Sequence, residues 1–178
     1  LAVEHELFVG RVVVWRSDNQ DGSNSGVYQQ LFGTAAELAR PAAPALGDFG
    51  GTLNVGENLV NATPQVLDAA VSFTPGGAAD FNGGVVTVFY TSGGSAEDQL
   101  SIRNQGSAVG QIGVAGNTVS YGGVAIGTLA GGGNGANLSV TLNAAASADA
   151  IEALVQNVAY GNSSNSTQAS RQIGVRVE

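Results

Sequence analysis

Between Val85 and Tyr90 the chain reads V-V-T-V-F-Y, an unbroken run of β-branched and aromatic residues, the types that fit a pleated surface. Alternation sets Val86, Val88 and Tyr90 on one face and Val85, Thr87 and Phe89 on the other. Both faces are largely apolar, which predicts a strand inside a sandwich rather than one at a wet edge. Asn82-Gly83-Gly84 just ahead is turn chemistry, because glycine reaches positive φ at little steric cost and asparagine tolerates it. We take Asp80 to Thr91 as the central strand, with the later strands packed around it.

The same pattern recurs on both sides. Short strands are predicted at Val66-Leu67 and Ala70 to Phe73, and Pro64 argues for an edge or a strand entry there. Gln99 to Arg103 carries Leu100 and Ile102 on one face. A meander follows over Gln111 to Val114, Thr118 to Tyr121 and Val124 to Leu129, with Gly122-Gly123 suited to a primed hairpin turn. Asn137 to Leu142 alternates Leu138, Val140 and Leu142, and Arg171 to Val177 closes the chain with Ile173, Val175 and Val177 facing in. One helix stands out, at about Ala148 to Tyr160. Ile151, Leu154, Val155 and Val158 form its apolar stripe, Ser147 is the N-cap, and Gly161 is the stop.

The first third reads differently. Phe8 to Trp15 (F-V-G-R-V-V-V-W) is a strong strand pattern, Ser17 to Gly26 a polar turn-forming loop, and Val27 to Phe32 the return strand. Residues 34–51 hold Ala, Pro41, Pro44 and Gly. A helical turn or two over Thr34 to Arg40 is stopped by Pro41, and the rest is a linker with polyproline character. The expected organisation is therefore a hairpin over residues 1–33, a linker over 34–51 and a β-domain over 52–178.

Composition narrows the function. Of 178 residues 43% are hydrophobic and only 11% charged, and 27 glycines cluster at turns, which argues for a folded all-β chain rather than disorder. Net charge is −8, and the basic residues are six scattered arginines. Nucleic-acid binding needs a basic face, which such scatter does not supply. There is no Cys, so disulfides and thiolate zinc sites are excluded. No run is long and apolar enough to cross a bilayer as a helix. No signal peptide is visible, and the chain begins at Leu1, which reads as a removed start or a piece of a larger chain.

Two stretches resemble known repeats. V-V-V-W-R-S-D-N-Q-D-G-S-N-S-G-V-Y-Q-Q-L-F (Val12 to Phe32) resembles the last half of a repeat found in tandem in large secreted bacterial proteins. In residues 52–178 the runs E-N-L-V-N-A-T-P-Q-V-L-D (Glu57 to Asp68), D-F-N-G-G-V-V-T-V (Asp80 to Val88) and S-A-E-D-Q-L-S-I (Ser95 to Ile102) come in order. They are followed by V-S-Y-G-G-V-A-I-G-T (Val119 to Thr128), A-I-E-A-L-V-Q-N-V-A-Y-G-N-S-S (Ala150 to Ser164) and A-S-R-Q-I-G-V-R-V (Ala169 to Val177). Together they resemble a cadherin-like or immunoglobulin-like repeat of giant bacterial adhesins and RTX-like surface proteins. The resemblance implies an Ig-like or cadherin-like Greek-key β-sandwich with one short helix, used as an extracellular module. It departs where such repeats carry F-D-G-G, since Asn82 replaces the Asp, and where an Asp-rich loop becomes Thr74-Pro75-Gly76-Gly77.

Little in the chain points to catalysis. His5 is the one histidine, beside Glu4 and Glu6, so neither a Ser-His-Asp triad nor a histidine metal site can be assembled. The loop Ser17, Asn19, Asp21, Gly22 imitates a calcium loop, but the closing Glu falls at Tyr28. Gly131 to Gly135 lacks the Lys-Ser/Thr of a phosphate loop. Glu57, Asp80, Glu97 and Asp98 are the calcium candidates, weighed against solvated loop acids. No cofactor is required, and calcium is the one ion these acids could take. Phe8, Val12, Val14 and Trp15 make the first hairpin too apolar to sit free, which marks it as an assembly segment. The expected function is a non-enzymatic structural module of an extracellular adhesin, matrix protein or filament. Its partners would be copies of itself or neighbouring modules, with no nucleic acid and no membrane insertion. The alternative is a module binding carbohydrate or mediating calcium-dependent adhesion, which would need exposed aromatics.

Overall fold

The computed structural model describes residues 42–164 and 170–178 apart from residue 79, together with the backbone of residues 5–8 and 11–14. Two compact units divide the chain at residues 42 and 43.

In the first unit, His5–Phe8 (β1) pairs antiparallel with Arg11–Val14 (β2), in register from His5 opposite Val14 to Phe8 opposite Arg11. This corrects the expectation of one strand from Phe8 to Trp15. The run is two short strands with two residues between them, one of which is Gly10, the residue type that a two-residue connection favours. Trp15, the loop 17–26, the return strand at Val27 to Phe32 and the helical turn at Thr34 to Arg40 lie outside the described residues.

The second unit is an all-β sandwich carrying helices. After Ala45–Gly47 (β3) come Glu57–Ala62 (α1), Gln65–Val66 (β4), Ser72–Thr74 (β5), Val85–Ser92 (β6) and Asp98–Ile102 (β7). Ile112–Ala115 (β8), Thr118–Tyr121 (β9), Val124–Gly131 (β10), Leu138–Leu142 (β11), Ala148–Gln156 (α2), Val158–Asn162 (β12) and Gln172–Val177 (β13) complete it. One sheet has the order β13-β6-β11-β10-β9-β8, a second β4-β12-β7, and β3 pairs with β5. Every pairing is antiparallel.

The expected central strand lies within the large sheet, between β13 and β11. Val86 and Val88 are buried, while Val85, Thr87 and Phe89 on the opposite face are half-buried. Leu100, Ile102, Ile112, Val119, Ile126, Leu138 and Val140 join them in one core with Ile151, Leu154 and Val155 of α2. Each fully buried aliphatic side chain stabilises the fold by about 1.5–3 kcal/mol.

Helix α2 starts as the sequence indicates, with Ser147 Oγ accepting the Ala150 N–H. It ends earlier than expected. Asn157 caps it by donating its backbone N–H to Leu154 and Val155, and Val158–Asn162 is a strand paired along its length with β7. Val158 does belong to the core, but from a strand: it lies opposite Ile102 of β7, and its carbonyl accepts the Leu67 N–H on the other side of β12. A second helix, α1, occupies the run that had been expected only to lead into strands. It buries Val60, and Pro64 follows two residues after its end.

The expected linker also proves structured in its last part. Ala45, Leu46 and Gly47 pair with Thr74, Phe73 and Ser72. A chain beginning at residue 43 should therefore melt cooperatively. One beginning at residue 52 loses β3 and the cover of Leu46, at a cost of about 2–3 kcal/mol. Matching thermal melts for the two truncations would show that β3 contributes nothing.

Candidate functional site

Asp98 opens β7 and has no exposed surface. A buried carboxylate is tolerated only when its oxygens are paired, and five donors converge on this one. Oδ2 accepts from Arg171 Nε at 2.8 Å, from the Ser95 backbone N–H at 2.7 Å and from Ser95 Oγ at 3.1 Å. Oδ1 accepts from the Tyr160 hydroxyl at 2.6 Å and from Asn162 Nδ2 at 2.7 Å.

Local structure explains the convergence. Tyr160 and Asn162 are two apart on β12 and so share a face, and the β12–β7 register sets Asn162 opposite Asp98. Ser95 lies three residues before Asp98 in the turn entering β7, and its carbonyl accepts the Asp98 N–H. Arg171 comes from the residue before β13, so the cluster ties the last strand of the large sheet to the small sheet.

Burial pushes the Asp98 carboxyl up, but Arg171, Tyr160, the Ser95 N–H and Asn162 together outweigh it and hold it below its ordinary value. Arg171 is raised, first by its hydrogen bond to Asp98. Tyr160 is raised by burial and by the same carboxylate. Tyr90, whose buried hydroxyl has no hydrogen-bond partner among the described residues, is pushed far above the usual phenol range by burial, with the Asp98 charge adding to it. At neutral pH the cluster is thus one carboxylate, one guanidinium and protonated phenols. A carboxylate with five donors has no lone pair left to take a proton from a substrate or to ligate a metal.

Asp98, a calcium candidate by sequence, here spends both oxygens on protein donors. The other three acids are not gathered around it. Glu97 is exposed, and Glu57 is at the first turn of α1. Asp80 accepts the Asn82 N–H in the turn entering β6. Asp98 follows the far end of that eight-residue strand, about 25 Å away at 3.3 Å per residue. Among the described residues no three His, Cys, Asp or Glu side chains share a site. Calcium and chelator should therefore give melting temperatures within about 3 °C of each other, a difference near 1 kcal/mol; a gap of tens of degrees would reveal a cation site.

Beside the cluster lies a shallow, open depression of about 460 Å³, lined by Tyr90, Ser92, Ser95, Asn134 and Asn137. It offers polar groups but no free aromatic face, since the backbone of Gly94 lies against the Tyr90 ring. None of the described aromatic side chains is exposed.

The two rims of the large sheet differ. At β8, Asn104 reaches across to Val114, donating to its carbonyl and accepting its N–H, both at 3.2 Å. Gln105 does the same for Ile112, accepting its N–H through Oε1 at 3.1 Å and donating its own N–H to the Ile112 carbonyl at 2.7 Å. The groups that would recruit another strand at β8 are thereby satisfied. At β13, Glu178 exchanges hydrogen bonds with Val85. With Arg176 opposite Thr87 and Gly174 opposite Phe89, alternation turns the backbone groups of Ile173, Val175 and Val177 away from β6. Among the described residues no strand pairs with that side of β13.

Sequence reasoning missed Arg171 as the partner of Asp98, and missed Asn104 and Gln105. The one local signal was Tyr160-x-Asn162, two polar-tipped side chains on one face of a strand. The assembly residues Phe8, Val12 and Val14 fall on β1 and β2. No family model, curated protein or solved structure matches this chain.

Proposed function

We propose that this chain is a non-enzymatic structural module of an extracellular adhesin, matrix protein or filament, joined head to tail to its neighbours through β-strand contacts. The observation that carries this reading is the asymmetry of the large sheet, with β8 closed by side chains and no strand hydrogen-bonded to the outer side of β13 among the described residues, β3 lying near it without pairing. Unpaired edges recruit other chains, and natural sheets close the ones that must stay single. A chain with one closed and one open rim is suited to directional addition.

The polar cluster supports the same reading. Its acid is consumed in holding two sheets together rather than held ready for chemistry. The resemblance of residues 52–178 to repeats of giant bacterial adhesins supports an extracellular setting. The absence of an exposed aromatic among the described residues speaks against a sugar-stacking platform. With no Cys and no Lys in the chain, disulfide and lysine isopeptide cross-links are unavailable, so the join rests on backbone pairing and apolar burial. Light scattering should show the full chain growing with concentration and residues 34–178 staying monomeric. Two monomers at high concentration would end the reading.

A further inference from the structure

We propose that β2 of one copy adds to the open rim of β13 in the next copy as an antiparallel seventh strand, with Val12 opposite Val177 and Val14 opposite Val175. The proposal rests on the head-to-tail reading and specifies its contact.

The register follows from backbone geometry. In the β1–β2 hairpin Phe8 and Arg11 flank a two-residue connection, so they form a hydrogen-bonded pair, and by alternation so do Glu6 and Val13. The backbone groups of Val12 and Val14 then point away from β1. On β13 the outward positions are Ile173, Val175 and Val177, because Gly174, Arg176 and Glu178 are spent on β6. Antiparallel pairing requires outward residues to meet outward residues, and Val12–Val177 with Val14–Val175 satisfies this for both strands.

Charge selects β2. The register sets Arg11 opposite Glu178, whose carboxylate, among the described residues, bridges to the exposed Arg176 of its own strand, at 2.9 Å. Offering the rim to β1 with Leu7 opposite Val177 or Val175 would instead bring Glu6 or Glu4 opposite Glu178, and like charges directly opposite are destabilising. Valine opposite valine on the other face continues the inner row of Ile173, Val175 and Val177, which packs against the core. Each copy then has one donor strand and one acceptor rim, a heterologous contact of the kind that adds copies head to tail.

The full chain contains no Cys, so engineered thiols report without background. Val13 and Arg176 would form a non-hydrogen-bonded pair, with Cα atoms about 4.5 Å apart, inside the range that a disulfide spans. Mixing a Val13→Cys chain with an Arg176→Cys chain under mild oxidation should give a mixed dimer. Its yield should exceed that from Val13→Cys with Ala115→Cys, on the closed rim, by about tenfold or more. Equal yields would overturn the proposal. So would preferential Arg176→Cys self-coupling, which would mean that two β13 rims pair with each other. A disulfide within one chain carrying both thiols at high dilution would overturn it too, since the hairpin would then fold back on its own domain. A second variant, Val175→Pro, removes only an N–H that points away from β6. It should still melt cooperatively and associate about tenfold more weakly or worse. If Val175→Pro associates like the parent while deletion of residues 1–33 abolishes association, the rim assignment fails and the head-to-tail reading survives. If that deletion leaves association intact, both fail.

Discussion

Replacing Asp98 with asparagine should destabilise the second unit by about 3–5 kcal/mol, the range measured when one partner of a buried ion pair is removed. In melting temperature that is a drop of roughly 10–20 °C for a domain of this size. The substitution preserves shape but puts an amide NH2 where only donors converge, and it leaves Arg171, whose side chain is 15% exposed, without its buried counter-charge. Removing both charges together, as Asp98→Asn with Arg171→Met, should recover part of the loss, because an unpaired buried charge costs more than an absent pair. A single variant that melts like the parent would show that Arg171 escapes to solvent at no cost.

The same cluster predicts the pH response. Asp98 is held below its ordinary value of 3.8, so near that pH the unfolded chain binds more protons than the folded one. The stability contributed by Asp98 is complete above the unfolded value and is lost as pH falls through the folded one. The parent should lose melting temperature steeply below about pH 4, and Asp98→Asn should show a shallower acid slope. Parallel slopes would mean that the carboxylate is not the group responsible.

The second large effect is expected at Gly132, where the end of β10 touches β7. Its carbonyl accepts the Leu100 N–H at 2.7 Å and its N–H reaches the Asn137 carbonyl at 2.9 Å, so backbone from the two sheets meets there. Gly132 sits at φ +89°, and a Cβ would collide with the Leu100 carbonyl and lie 2.8 Å from Leu138 Cδ1. Alanine there should cost at least about 2–3 kcal/mol from positive φ and steric conflict combined. The neighbouring Gly133 meets nothing within 4 Å, so Gly133→Ala should stay within about 0.5 kcal/mol. Chemical denaturation of the two variants separates a required glycine from a tolerant one in adjacent positions. Equal losses would mean that the whole turn, rather than the contact, is sensitive.

Local pattern alone was enough for most of the sheet. The run from Val85, the meander around Gly122-Gly123, and the Leu138-Val140-Leu142 alternation each carry their period within a few residues. So does the start of α2 at Ser147, where cap, acid and apolar stripe agree. What a window of residues could not decide was where competing backbone partners win. Val158 continues the helical stripe of α2, yet β7 pairs with it and makes it a strand. Ala45–Gly47 looks like linker until Ser72–Thr74 supplies its partner. Val9-Gly10 reads as mid-strand until β1 and β2 pair across it.

The candidate site was legible only by halves. The residues at Glu97-Asp98 could be singled out as acids, but the fate of Asp98 depends on Arg171, 73 positions later, and on Tyr160 and Asn162, 62 and 64 positions later. The sequence by itself determined the all-β class, the capped helix and the turns, because propensity, periodicity and positive-φ glycines act within a few residues. Only the tertiary structure decided that Asp98 fastens the two sheets, and that β8 is closed while no strand hydrogen-bonds to the outer side of β13 among the described residues. Both depend on donors brought in from distant segments, and hydrogen-bond satisfaction is a property of the assembled neighbourhood that no local pattern encodes.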